Sequence, residues 1–484
     1  MLDFENLQQY RENNRIEAKK ALGGLPKSIW ETYSAFANTY GGIILLGVEE
    51  LPDKSLRAVN LPDPNRLIKE FWDTINNPSK VSINILSAKD VYVQNVDGNQ
   101  IVVIQIPRAE RAYKPVFVEG NPLCTYRRNG EGDYRCTREE YQAMVRDASA
   151  KSQDMLILSE MDLSVFNKES IRSYRQRMRL SRPGHVWESL EDEEFLLKLG
   201  AVGIGEDGKK HPTTAGLLMF GNEYDIVREF NHYFLDYQEQ YDPSTRWTDR
   251  IISSSGDWSG NVYDFYFRVY NKLVQDIKVP FKMEGGTRVD DTPVHQALRE
   301  ALANCLVHAD YYGRQGLVVI KKRDSITLSN PGGFRIEIDA AKSGGVSDPR
   351  NGAMLKMFNL IDIGERAGSG IPLIFSAWHK QGWAMPTVTE QADPERTVVK
   401  LLFEKTADKK SAIKNGDKKS AISTRVKETI LTYLTDHAEA KAAAIAEHIG
   451  LKPSRTRDYL SELVSEGSVV AEGSNRNRTY RLKS

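Results

Sequence analysis

The 484-residue chain lacks most of the features that would classify it by composition. Three cysteines, Cys124, Cys136 and Cys305, are too few for a disulfide framework or a four-ligand zinc site. Neither charge is in surplus, with 66 Lys and Arg against 66 Asp and Glu. The field of the whole molecule therefore selects no partner, and any basic patch must be local. No apolar run reaches the roughly 18 residues of a membrane helix. The opening MLDFENLQQYREN has no basic-then-apolar signal pattern, so a soluble, cytoplasmic protein without a membrane partner is expected. Gly-x-x-x-x-Gly-Lys-Ser/Thr occurs nowhere, which argues against a P-loop motor such as a helicase. The length predicts about three domains.

What is present centres on residues 295–312, HQALREALANCLVHADYY, which read as one amphipathic helix. Glu300, Asn304 and His308 recur every four residues and stack along one face, drifting about 40° per step. Leu298, Leu302, Cys305, Leu306 and Ala309 fall on the nearly opposite face, toward a core. Asn is a poor interior helix residue because its amide competes for backbone groups. Two readings of the polar face stay open, a solvated surface or a site. Apolar strands at 317–320 and 325–328 follow, then Asn330-Pro331-Gly332-Gly333-Phe334. Further on, Gly364-Glu365-Arg366-Ala367-Gly368-Ser369-Gly370-Ile371 opens a helix over 372–381. Glycines there let backbone N–H groups approach a phosphate, and the helix N-terminus adds partial positive charge.

Glu300-Ala301-x-x-Asn304-x-x-x-His308-x-Asp310-Tyr311, then Asn330-Pro331-Gly332-Gly333, Arg350-Asn351 and Glu365-x-x-Gly368-x-Gly370 together resemble the GHKL ATPase module, and more closely its divergent RecG C-terminal-like branch in bacterial regulators. The resemblance implies bound ATP and Mg²⁺, with Glu300 as general base on the attacking water and Asn304 as a Mg²⁺ ligand. It places His308, Asn330, Gly332, Gly333, Arg350, Asn351, Glu365, Gly368 and Gly370 around the nucleotide. A carboxylate and a carboxamide one turn apart suit a water and a hard cation beside a γ-phosphate. The chain departs from the family at Asn330, near where an Asp is usual, and at Ala309, where an Arg is usual.

Residues 1–150 predict an α+β domain. Helices are expected over 6–21, 29–37 and 138–147, and strands over 43–48, 82–87, 90–94 and 100–106, with Asp97-Gly98 as a hairpin turn. Glu12-x-x-x-x-Glu17-Ala18-Lys19, Ser34-Ala35-Phe36-Ala37-Asn38-Thr39-x-Gly41-Gly42 and Gly47-Val48-Glu49-Glu50 are similar to the Schlafen/AlbA-like nucleic-acid-binding domain. In nuclease members, carboxylates at the positions of Glu12, Glu17 and Glu50 bind metal for phosphodiester cleavage. The alternative treats those three as surface acids, with Lys19, Lys20, Arg127 and Arg128 on phosphate backbones.

Residues 151–280 form a connecting region, with helices expected over 169–178, 192–199 and 262–279 and strands over 216–220 and 230–237. Tyr263, Phe265, Tyr266, Phe267 and Tyr270 recur at about helical spacing; they are read as core docking the ATPase module, stacking on bases being the other option. The GHKL-like module takes 281–404. Residues 405–423 repeat Asp-Lys-Lys-Ser-Ala-Ile and read as a flexible charged linker. Three helices and a two-stranded wing over 424–484 resemble the winged helix-turn-helix, whose third helix meets base edges. From Lys405 onward there are 16 Lys and Arg against 10 Asp and Glu, a local surplus of six. Arg455, Arg457, Arg476 and Arg478 are the candidates for DNA contact; a winged domain used for protein contact is the alternative.

The expected fold is α+β and multidomain: a Schlafen/AlbA-like domain, a GHKL-like α/β sandwich and a winged helix-turn-helix. The expected function is an ATP-binding, DNA-binding transcriptional regulator, a homodimer or higher homo-oligomer whose nucleotide module controls its engagement of DNA or RNA. The alternative is a metal-dependent RNA or DNA nuclease under ATP control, in host defence.

Overall fold

The computed structural model describes residues 3–404 apart from 243, 276, 278–281, 285–286, 290–291, 365–367 and 393. Beyond residue 404 it describes 426–427, 429–435, 437, 439–449, 453–465, 468–472 and 478–482. The chain packs as two units, Met1–Gln381 with Met385–Phe403, and Gly382–Ala384 with Glu404–Ser484. Helices and sheets mix throughout, in an α+β arrangement.

The first unit opens with a four-stranded sheet in the order β1-β2-β4-β3, made of β1 (Ile16–Lys19), β2 (Gly42–Leu46), β3 (Val91–Val96) and β4 (Asn99–Ile106). Asp97 and Gly98 both take positive φ between β3 and β4, the turn that matches strand twist. Helix α1 (Ile29–Asn38) packs its buried side chains against this sheet. The Ala-Phe-Ala-Asn-Thr-x-Gly-Gly string has a packing logic. A Cβ at Gly42 would lie 2.6 Å from the Phe36 ring, and the Asn38 amide donates to Val116 O and Tyr126 O while accepting from Val116 N. Strand β5 (Tyr126–Asn129) and helix α2 (Arg138–Ala148), closed by a Thr137–Glu140 capping box, complete the segment.

Two expectations fail here. Residues 6–21 are not a helix: a 3-10 turn over Phe4–Gln9 leads into β1, which pairs in parallel with β2 from Ile16↔Ile43 to Lys19↔Leu46. Partners about 27 residues away override local helix propensity. Residues 82–87 form no strand, only extended chain whose Ile83 carbonyl accepts from Tyr33 OH.

The connecting region supplies α3 (Lys168–Ser181), α4 (Asp192–Leu199) ending on left-handed Gly200, and α5 (Thr214–Phe220). The last replaces the strand expected at 216–220. Thr213 Oγ accepts from Gly216 N at 3.0 Å as the N-cap, and Gly216 lies so close to Ala201 that a Cβ would stand 2.0 Å from its carbonyl oxygen. An apolar run buried on all sides gives no period by which to tell helix from strand.

A six-stranded sheet then forms in the order β7-β6-β8-β9-β11-β10 from β6 (Leu235–Glu239), β7 (Asp249–Ile252), β8 (Leu317–Lys321), β9 (Ser325–Pro331), β10 (Thr387–Ala392) and β11 (Glu395–Leu402). Its first two strands come from the stretch read as a connecting region. Helix α6 (Val262–Val274) buries Tyr263, Phe265 and Tyr266, with Tyr266 against Phe358, so the aromatic stripe is core. The pivotal helix α7 (Pro293–Val307) stops short of residue 312: His308 is its C-cap and Asp310 N turns to donate to Pro331 O. Leu298, Leu302, Cys305, Leu306 and Ala309 are buried as the spacing predicts. Helices α8 (Ile338–Ser343), α9 (Gly352–Asn359) and α10 (Gly370–Lys380) follow, α10 lying against α7.

In the second unit, helical residues 429–435, α11 (Ala442–Ile449) and α12 (Pro453–Ser465) bury Ile430, Leu434, Ile445, Leu460 and Leu463 together. A three-stranded antiparallel sheet places β14 (Thr479–Leu482) between β12 (Ala440–Lys441) and β13 (Val469–Glu472). The stretch 405–423 lies outside the described residues. No helix among those described is long and apolar enough to cross a membrane.

Candidate functional site

Between α7 and α10 lies a cleft with about 920 Å³ of empty space, counting its open mouth. Helix α7 lines it with Glu300, Asn304 and His308; strands β9 and β11 add Asn330 and Thr397; Gly333, Gly368 and Gly370 come from the two glycine turns. Glu300 is buried, and Asn304 Nδ2 donates to its Oε1 at 3.3 Å. Gly370 closes on both: a Cβ there would stand 2.1 Å from Glu300 Oε1 and 2.7 Å from Asn304 Nδ2. A small polar recess is thereby kept clear at the N-terminus of α10. Apolar side chains, among them Ile374, Val388 and Val399, wall much of the rest.

Three expected nucleotide contacts do other work. Gly332 takes φ +90°, and the Arg350 guanidinium fills the space a side chain there would need. Arg350 is buried, its Nε and Nη2 bonded to Asp147 at 2.9 and 2.7 Å, with further bonds to the carbonyls of His308 and Gly333. Asn351 donates to the Val307 and Ala309 carbonyls, satisfying groups orphaned at the end of α7. None of the three is among the residues lining the cleft. They brace its wall from behind. Glu365 lies outside the described residues.

The cleft also holds residues that the motifs did not mark, Arg335, Asp348 and Thr397. Thr397 sits in register with Asn330 and donates to Gly332 O, so strand pairing was the available signal for it. Arg335 and Asp348 stand on irregular loops and had none.

Burial, and then the charges of Arg350 and Arg335, push the His308 imidazole down to about pKa 4. A histidine held neutral in the fold and free to protonate when unfolded makes stability fall as pH drops from about 6.5 to about 4, by on the order of 1 kcal/mol per unit. His308→Gln should flatten that part of the pH–stability curve, measured by denaturant melts at pH 4.5 and 7; an unchanged slope would refute the assignment.

At the N-terminal segment the expected metal triad does not fit a metal. Glu17 Oε1 accepts from Lys19 and its Oε2 from Arg128, at 2.9 and 2.8 Å. Glu12 Oε1 accepts from Ala18 N, and Glu50 pairs with Lys54. Burial, then the Glu17 and Glu50 charges, raises the Glu12 carboxyl above its usual range, against the pull of the Ala18 amide. Among the described residues no group of three or more His, Cys, Asp or Glu is placed to hold an ion. Arg128 is not a phosphate contact. It is 1% exposed and lies between Glu17 and Asp133 with the Asn13 carbonyl, because a buried guanidinium needs such partners. Lys19, Lys20 and Arg127 pair with Glu17, Glu49 and Glu140. In the second unit Arg457 and Arg478 are exposed, Arg478 beside the Tyr480 ring; the Arg455 side chain and Arg476 lie outside the described residues.

Four family models match parts of the chain. Residues 12–137 match "Schlafen, AlbA_2" and 318–401 match "Putative ATP-dependent DNA helicase recG C-terminal". Residues 142–236 match a domain of unknown function, DUF8451, and 426–476 match "FaeA-like protein". An uncharacterized ATP-binding protein of Ureaplasma parvum serovar 3 is 30% identical over 136 residues, 26% of this chain and 38% of that protein. The match thus spans well under half of the relative's length. Among solved structures, the DIP2311 protein of Corynebacterium diphtheriae overlays 97% of this chain and 92% of its own at 16% identity and TM-score 0.41. The N-terminal domain of a RecG-related protein from Nitrosomonas europaea covers 28% of this chain and 95% of its own at 29% identity and TM-score 0.23. The chain is an α+β protein in which a Schlafen AlbA_2-like segment and a RecG C-terminal ATPase-like segment lie within one packed unit.

Proposed function

We propose that this protein binds ATP with Mg²⁺ in the α7–α10 cleft and uses it to control its hold on nucleic acid, DNA first, as a transcriptional regulator. The observation that carries the reading is the contact of Gly370 with Glu300 and Asn304, which leaves polar groups and a helix N-terminus facing one recess. The name of the Ureaplasma relative supports nucleotide binding. Bound there, Mg²⁺ would neutralise phosphate charge, with Asn304 and the phosphates as its ligands. Glu300 is the group positioned to take a proton from water. Exposed Arg457 and Arg478, in a segment with six surplus positive charges, support DNA contact by the second unit. Self-association into a dimer belongs to the same reading. Cleavage is not part of it: Glu17 is held by Lys19 and Arg128, and no group of three or more His, Cys, Asp or Glu among the described residues is placed to hold an ion.

Calorimetry with ATP and Mg²⁺ tests the core of this proposal. The wild type should give a saturable heat and Asn304→Ala an affinity lower by roughly tenfold, the loss of one charge-assisted contact. No heat from either protein would leave a scaffold with a dead pocket. Anisotropy of a labelled duplex with and without ATP then tests control. Equal affinities would refute it, because a ligand shifts an equilibrium only through unequal affinity for two states.

A further inference from the structure

Behind the cleft, residues from before position 150 meet the loops of the ATPase-like segment. Arg111 pairs with Asp348 and donates to the carbonyls of Asp147 and Ser149. Arg350 holds the Asp147 carboxylate in two bonds. Between them stands Arg335, on the cleft wall and only 9% exposed. Its two terminal nitrogens donate to the Pro349 and Asp147 carbonyls at 3.0 Å. Its carboxylate contacts are long, 3.9 Å to Asp147 Oδ1 and 3.7 Å to Asp348 Oδ1. The Nε is buried without a hydrogen-bond partner among the described residues.

Three guanidinium groups, Arg111, Arg335 and Arg350, thus share two carboxylates, Asp147 and Asp348, and Arg335 is the one left poorly matched. A buried cationic donor without a partner is costly. An anion arriving in the cleft would remove that cost, and a guanidinium fork matches phosphate oxygens. The low proton affinity of His308 comes first from burial and then from the charges of Arg350 and Arg335.

We propose that Arg335 binds the phosphate chain of the nucleotide, exchanging its long contacts to Asp147 and Asp348 for phosphate oxygens, so that the N-terminal segment's Asp147 and Arg111 register whether the cleft is filled. The proposal rests on the ATP-binding reading. It adds a specificity residue and a route by which phosphate reaches the nucleic-acid-binding segment.

The test is a calorimetric comparison of ATP with adenosine, using the full chain with thermal melts as the folding control. Arg335→Met should weaken ATP roughly tenfold or more and change adenosine by less than about twofold. Asp348→Asn removes a competitor for Arg335 and should tighten ATP by about threefold, a gain that disappears in the Arg335→Met/Asp348→Asn double variant. Equal losses for ATP and adenosine, no loss, or a gain that persists in the double variant each overturn the proposal. If Arg335→Met does not fold, Arg335→Lys, which keeps charge but loses the fork, reads the same ratio with an expected ATP loss of about threefold; an unchanged ratio overturns it. A wild type that binds neither ligand would instead sink the ATP-binding reading itself.

Discussion

Arg350→Met should cost the first unit about 3–5 kcal/mol, the usual penalty for stripping one partner from a buried ion pair. The expectation follows from what is left behind. Asp147, its side chain 24% exposed, would lose its bidentate partner, and the carbonyls of His308 and Gly333 would each lose a donor. The Arg350→Met/Asp147→Leu double variant should recover much of the loss, since a well-packed apolar pair can equal a buried ionic one. Denaturant melts check both; a single variant within about 1 kcal/mol of wild type would refute the role. The pH dependence carries a further sign. Burial acts to raise the Asp147 carboxyl, but Arg350, Arg335 and Arg146 outweigh it and hold it below the usual range. A depressed carboxylate lends stability above its unfolded pKa of about 3.9, and that stability is lost as pH falls through the folded value. In the wild type this contribution should therefore be complete by about pH 5. In Arg350→Met the carboxyl loses its strongest cationic partner and should rise, so acidification toward pH 4 should narrow the gap to wild type.

Gly370→Ala should lower ATP affinity by about a hundredfold or more while costing roughly 1–3 kcal/mol of stability, the range for overpacking. At an ordinary helix position the exchange would help, because Ala is the better helix former. Here the new methyl lands on Glu300 Oε1 and Asn304 Nδ2, so α10 must retreat or both side chains must turn. Gly23→Ala is the control: a Cβ there meets nothing within 4 Å, and binding and stability should stay at wild-type values. Calorimetry and melts of the three proteins decide. Tight ATP binding by Gly370→Ala would mean that the recess is not where the nucleotide goes.

How far the sequence could be read follows from what kind of signal each residue carries. The buried face of α7 was legible because Leu298, Leu302 and Leu306 repeat with the helix turn. The Asp97-Gly98 turn was legible because few residue pairs accept two positive φ angles. Strand β1 was not, since its only reason to be extended is a partner 27 residues on. Helix α5 was missed although Thr213, three residues ahead of Gly216, was a readable N-cap. Within the cleft, motif spacing marked Glu300, Asn304, Asn330, Gly333, Gly368 and Gly370, all of which the fold gathers there. It also marked Arg350 and Asn351, whose polar groups serve the Asp147 carboxylate and the backbone behind the wall. Spacing identifies residues held to a geometry and does not distinguish ligand contacts from the struts that support them. Arg128 illustrates the same ambiguity: a basic residue beside a glycine turn suits a phosphate, yet its depth within the segment commits it to Glu17 and Asp133.

The ties around Asp147 bear on how this protein can be dissected. The family matches end at residue 137 and resume at 142 and 318, which invites cutting the gene at those borders. Asp147 and its cationic partners lie on opposite sides of such cuts. A piece beginning at 318 would keep Arg335 and Arg350 but lose Asp147, leaving Asp348 beside Arg335 as the remaining carboxylate of the cluster, and it would lack α7 altogether. These ties hold the first unit together from its N-terminal segment through β11.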